Sequence, residues 1–157
     1  MDVLMQYLIT GLTVGSIYAL LAIGFVTLYN ITGVLNLAQG EFAMIGALSC
    51  ITFVNAGLPK LAAILLAVLL TAAIGFLLEK TTITPARNSS VITLIIITLG
   101  ISIFLKGMGL IIWGSYPKTL SPMIQGDSFQ FLGAVVNPQS IVVVVVLLVL
   151  LALLYVF

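Results

Sequence analysis

Five apolar runs, separated by every proline in the chain, decide what this sequence can fold into. The runs cover about residues 7–29, 33–54, 61–78, 91–112 and 140–157, and Pro59, Pro85, Pro117, Pro122 and Pro138 all lie between them. Proline has no amide N–H to give, so its confinement to the connections leaves each run free to be a continuous helix. Each run is close to the ~20 residues that a helix needs to cross hydrocarbon. Lipid offers the backbone no other partner, which makes helices the solution for runs of this length. The predicted fold is therefore all-α, a polytopic transmembrane helix bundle of about five spans. With neither an internal repeat nor a low-complexity linker, a single domain over residues 1–157 is expected. Composition agrees: 62% of the residues are hydrophobic and 6% charged, and the mean hydropathy is +1.38, far from the balance of a soluble domain.

The connections refine this picture. Asn30, Ile31 and Thr32 leave room only for a tight turn, so the first two spans should be antiparallel neighbours. Val142–Val146 resembles a buried strand in isolation, but the apolar run continues without a turn signal, so it reads as helix. The long polar segment from Trp113 to Gln139 begins with aromatic residues suited to a membrane interface. Its apolar Phe129, Phe131 and Leu132 point to a short hairpin or an interfacial helix there. The first run reads as a retained membrane helix and not as a signal peptide, because Asp2 stands where a basic segment would be needed. Orientation is a tie by charge: Lys80 and Arg87 lie on one side, Lys60 and Lys118 on the other.

Several function classes drop out. A net charge of +1 supplies no field for nucleic acid. The chain has no histidine and one cysteine, Cys50, inside an apolar run, where a packed thiol is the plain reading. No metal site follows from that inventory. The acids Asp2, Glu41, Glu79 and Asp127 stand on four separate segments, so no catalytic residues can be assembled. No phosphate-binding loop is present either, so no cofactor is expected in this chain and any ATP must be bound by another subunit.

The second run is the unusual one, because it places Asn36, Gln39 and Glu41 within six residues of apolar sequence. On a helical wheel Asn36, Gln39, Gly40, Ala43, Ala47 and Cys50 share one small, polar arc, while Glu41 falls beside Leu37, Ile45 and Leu48. The first face suits a substrate pathway or ordinary interhelical hydrogen bonding. Glu41 needs a separate partner, or a place near a helix N-terminus where the macrodipole favours negative charge. It reads either as a functional intramembrane carboxylate or as an interfacial one that orients the span. Lys106, the other charge within a run, is expected to snorkel toward its nearby loop. A Glu41–Lys106 pair is not expected, since parallel spans would put them at opposite depths. Small residues recur every four positions at Gly11, Gly15 and Ala19 in the first run, and at Ala63, Ala67, Thr71 and Gly75 in the third. Such faces let helices pack closely in lipid.

The stretch GLTVGSIYALLAIGFVTLYNITGVLNLAQGEFAMIGA resembles the N-terminal signature of permease subunits of branched-chain amino acid ABC importers. In that family a Gly/Ser/Tyr-rich helix leads into an Asn, Ala, His or Gln, Gly, Glu or Asp motif. The later stretch EKTTITPARNSSVITLIIITLGISIFLKGMGLIIWG is similar to the family's next landmark, and the resemblance covers nearly the whole chain. It implies a multi-pass cell-membrane subunit that pairs with a second permease subunit, ABC ATPase subunits and an extracytoplasmic solute-binding protein. It also implies ATP-driven alternating access and a cytoplasmic loop carrying Lys80 and Arg87. The Trp113–Gln139 segment would then face the binding protein. The chain ends at Phe157, roughly halfway along such a permease and before the loop that docks on the ATPase, so the stretch alone is not expected to couple ATP hydrolysis to transport. Urea or amide permeases of the same family, a channel or secondary carrier with Glu41 as its ion site, and a non-transporting scaffold are the competing readings.

Overall fold

The computed structural model describes residues 2–122, 129–131 and 134–156. They fall into two compact units, Met1–Ile23 with Ser121–Phe157, and Gly24–Leu120, the division lying within helix α1 (Asp2–Thr32). Among the described residues four helical stretches are long and apolar enough to cross a membrane: Val3–Thr32, Lys60–Ile83, Val91–Trp113 and Pro138–Val156. They make the protein an all-α, multi-pass membrane protein.

In the second unit the end of α1 leads to α2 (Gln39–Asn55), α3 (Lys60–Leu78) and α4 (Val91–Trp113). The second apolar run departs from the helix expected over 33–54: α2 begins only at Gln39 and has 17 residues. At 1.5 Å per residue that is about 25 Å, short of the ~30 Å hydrocarbon core. The cause is local. Gly33 adopts φ +68°, a left-handed conformation that breaks α1. Asn36 then accepts the Ala38 N–H on its Oδ1 at 3.0 Å and turns the chain into α2. Non-helical backbone is tolerated at membrane depth only where its polar groups are satisfied. Here the Gly33 N–H donates to the Tyr29 carbonyl (2.8 Å) and the Val34 N–H to Thr32 Oγ1 (3.2 Å). From α4 the fully buried Thr98 hydroxyl donates to the Leu35 carbonyl (3.2 Å), shared with its own Ile95 carbonyl (3.0 Å).

α2 and α3 pack antiparallel on positions four apart. Cys50 clusters with the buried Ala63 and Ala67. A methyl group on Gly46 would lie 3.3 Å from Thr71 Oγ1, and one on Gly75 3.7 Å from Phe42 Cε1. The pairs 42/75, 46/71 and 50/67 thus follow one register, with small residues letting the backbones approach. Ala67→Leu would drive three further carbons into this seam. A loss of about 1–3 kcal/mol is expected from overpacking, measured by thermal unfolding in detergent; an unchanged midpoint would mean that the seam is loose.

α3 does not stop at a loop. It continues through a π-helical turn, Glu79–Ile83, in which the Thr84 N–H donates to the Glu79 carbonyl at 2.8 Å. The Thr84 hydroxyl also donates to Glu79 Oε1 at 2.7 Å. Ser90 caps α4, accepting the Thr93 N–H at 3.3 Å, and Gly114 at φ +77° ends it.

The first unit contains most of α1, a hairpin of β1 (Phe129–Phe131) and β2 (Ala134–Val136), and α5 (Pro138–Val156). The hairpin realises one of the two forms expected for the polar segment, with Phe129 opposite Val136 and Phe131 opposite Ala134. Leu132 and Asp127 lie outside the described residues, as does Phe157 at the end of the fifth run. Gln6 of α1 extends the hairpin: the Val135 N–H donates to Gln6 Oε1 (2.8 Å) and Gln6 Nε2 to the Val135 carbonyl (3.3 Å). The valine run lies within α5, which buries none of its described residues. Gly11 and Gly15 are exposed, and a methyl group on either would meet nothing within 4 Å. Their spacing permits close packing without supplying a neighbour, and no described residue fills that face.

Candidate functional site

A cavity of about 890 Å³ lies within the second unit, against α2 and α3 and the end of α1. That volume is within the range of small-molecule pockets. Gln39, Ala43, Ala47 and Cys50 line it from α2, and Asn36 from the lead-in just ahead of that helix, so most of the expected polar arc faces the cavity. Gly40 does not; it is exposed and meets nothing. From α3 come Ile64, Ala67, Thr71 and Gly75, and from the turn beyond it Glu79, Thr84 and Arg87. The antiparallel register divides these groups by level. Asn36 and Gln39 lie toward the π-helical turn, with its Glu79 and, in the turn that follows, Arg87, whereas Cys50, Ile64 and Ala67 form the other, apolar end.

The two amides are held differently. Asn36 is buried and spends its Oδ1 on the Ala38 N–H. The Gln39 side chain reaches α1, where its Nε2 lies 2.9 Å from the position that a methyl group on Gly24 would take. Sequence spacing on α1 pointed to Gly11, Gly15 and Ala19 and passed over Gly24, whose importance depends on a neighbour 15 positions away.

Glu41 faces away from the cavity lining, and its partner corrects the expectation from depth. Lys106 Nζ lies 3.0 Å from Glu41 Oε1, with side-chain exposures of 65% and 10%. Lys106 therefore bonds inward to α2, and is not committed to a loop. The depths coincide because the two helices are staggered: α2 starts late, and α4 begins well before the level at which α2 begins. Thr98, well inside α4, is already level with Leu35 ahead of α2, and Trp113 at the end of α4 donates from Nε1 to Thr52 Oγ1 at 2.8 Å. Helical side chains also lean toward the N-terminus, which carries the lysine stem back toward Glu41. Ser102, one turn before Lys106, is buried beside the same carboxylate. Glu41 Oε2 is buried without a hydrogen-bond partner, so Lys106 is the main compensation for this charge. A polar stripe at Thr98, Ser102 and Lys106, spaced by four, was the sequence signal for this face. With its charge neutralised and turned from the cavity, Glu41 is poorly placed as an ion site for a carrier.

The sequence profile of the family described as "Branched-chain amino acid transport system / permease component" matches residues 7–157. The chain is 35% identical to the high-affinity branched-chain amino acid transport system permease protein BraD of Pseudomonas aeruginosa, over 78% of this chain and 43% of the relative. It is 32% identical to the corresponding permease protein LivH of Salmonella typhimurium, over 95% of this chain and 53% of the relative. The LivH protein of Escherichia coli K12 is 31% identical over the same shares. The chain thus spans about half the length of these curated relatives. No solved structure matches it significantly. A profile match over nearly the whole chain, with relatives above 30% identity along it, shows that this chain belongs to the branched-chain amino acid transport system permease family.

Proposed function

We propose that this chain forms the N-terminal part of a permease subunit that moves branched-chain amino acids across the membrane by ATP-driven alternating access. In this reading ATP is bound and hydrolysed by separate ATPase subunits, a second permease subunit completes the pathway, and an extracytoplasmic solute-binding protein delivers the amino acid. The end of the third helix with Lys80 and the turn with Arg87 are cytoplasmic, and the β-hairpin segment is extracytoplasmic.

One observation carries the reading: the cavity has a polar end at Asn36, Gln39, Glu79 and Arg87 and an apolar end at Cys50, Ile64 and Ala67. A zwitterion with a branched hydrocarbon side chain has the same two-ended chemistry. Urea and small amides lack the apolar part, so half of the lining would have nothing to recognise.

Cys50, the only cysteine in the sequence, reports on this directly. In membranes holding the assembled importer, leucine, isoleucine or valine is expected to slow alkylation of Cys50 at least about threefold, while urea and sodium leave it unchanged. Protection by urea and not by leucine would assign the amide class. Uptake that follows an ion gradient without the ATPase would overturn the importer reading.

A further inference from the structure

We propose that Gly24 is a specificity-determining position: the bare backbone of α1 there seats the Gln39 amide, and so sets how much of the cavity is open to the solute's apolar group. The proposal rests on the cavity being the solute pathway.

Gln39 lines the cavity from the first turn of α2. A methyl group on Gly24 would stand 2.9 Å from its Nε2 and 4.0 Å from its Cδ. Carbon atoms in good contact sit about 3.5–4.0 Å apart, so the shorter approach excludes any side chain at position 24 while the amide keeps its place. Glycine inside a helix costs roughly 1 kcal/mol against alanine, which makes the position informative. The other helical glycines differ. Gly11, Gly15, Gly100 and Gly107 would meet nothing, and Gly109 would meet Met44, which is not among the cavity-lining residues. Gly46 would meet the cavity-lining Thr71 Oγ1, but at 3.3 Å; among the described helical glycines, only at Gly24 does an added methyl come closer than 3.0 Å to a polar side chain of the cavity. The struck atom is the end of a flexible chain, so the fold yields easily. The amide moves away from α1, and the space it then takes is cavity space.

The test uses the assembled importer with the full permease chain. Gly24→Ala is expected to raise the apparent KM for leucine about tenfold, the scale of one methylene-sized change in an apolar pocket. For the smaller solute alanine the change should stay under about threefold, with the maximal rate unaltered for both. In a Gln39→Ala background the same substitution should add nothing. Equal changes for both solutes, or the full effect without the Gln39 side chain, would overturn the proposal.

A readout independent of transport is the side-chain amide NMR signal of Gln39, assigned by its loss in Gln39→Ala. It should shift in Gly24→Ala at unchanged or higher thermal stability, and a stationary signal would also overturn the proposal. If leucine protects Cys50 in the wild type while neither substitution alters uptake, the seating role in specificity is wrong and the pathway reading stands. If leucine fails to protect Cys50, the pathway reading itself is wrong, and the specificity role falls with it.

Discussion

Lys106→Met is expected to destabilise the second unit by about 3 kcal/mol, several times the cost of Glu41→Gln. The asymmetry follows from burial. The carboxylate is the enclosed member of the pair, and the ammonium is largely exposed. Removing one partner of a buried pair costs roughly 3–5 kcal/mol because the remaining charge is left uncompensated, and the exposed lysine places this pair at the low end. Glu41 Oε2 already lacks a hydrogen bond, and the neighbouring Ser102 hydroxyl is neutral, so it does not replace the Lys106 charge. Glu41→Gln leaves a lysine that can rotate its long stem outward, and about 1 kcal/mol is expected. The double variant Glu41→Gln with Lys106→Met should recover most of the loss, since no buried charge then remains. Thermal unfolding followed by a fluorogenic maleimide on the buried Cys50 measures all three. Equal losses for the two single variants would overturn the asymmetry, and additivity in the double would show that the 3.0 Å contact carries no coupling.

Asn36→Leu carries the largest expected effect on transport, a loss of tenfold or more in uptake at equal membrane levels. Two contributions are mixed in that number. The Asn36 Oδ1 holds the turn just ahead of α2, and losing one such hydrogen bond costs about 1 kcal/mol. The residue also supplies polar lining at the hydrophilic end of the cavity. Asn36→Ser separates them, because a serine hydroxyl can still accept from the Ala38 N–H but offers no amide N–H₂. The serine variant should match the wild type in thermal stability and remain impaired in uptake of leucine. Recovery of uptake to wild-type rate would reduce Asn36 to a structural turn residue.

The positions of these two groups show why some of the molecule was legible in residue order and some was not. Hydropathy and proline placement locate helices α1, α3, α4 and α5 to within a few residues at most boundaries, because crossing hydrocarbon imposes length and composition locally. The late start of α2 was partly visible in Gly33 and Asn36, yet a wheel drawn from Gly33 treats the lead-in as helix. The wheel still separated Glu41 from Asn36 and Gln39, since Gln39 and Glu41 lie within the regular helix and Asn36 lies just ahead of it. Partnerships between helices were another matter.

By itself, then, the sequence determined that this is an all-α, multi-pass membrane protein of the branched-chain amino acid permease family, and that one helix carries polarity in two directions. The tertiary structure alone decided that Glu41 meets Lys106, that Gln39 rests on Gly24, and that the polar arc of α2 opens on a cavity against α3. The physical reason is that helix periodicity is a property of neighbours along the chain. Relative depth depends on where each helix starts, and a start displaced by a few residues moves a side chain by about 1.5 Å for each residue, enough to make or break an ion pair.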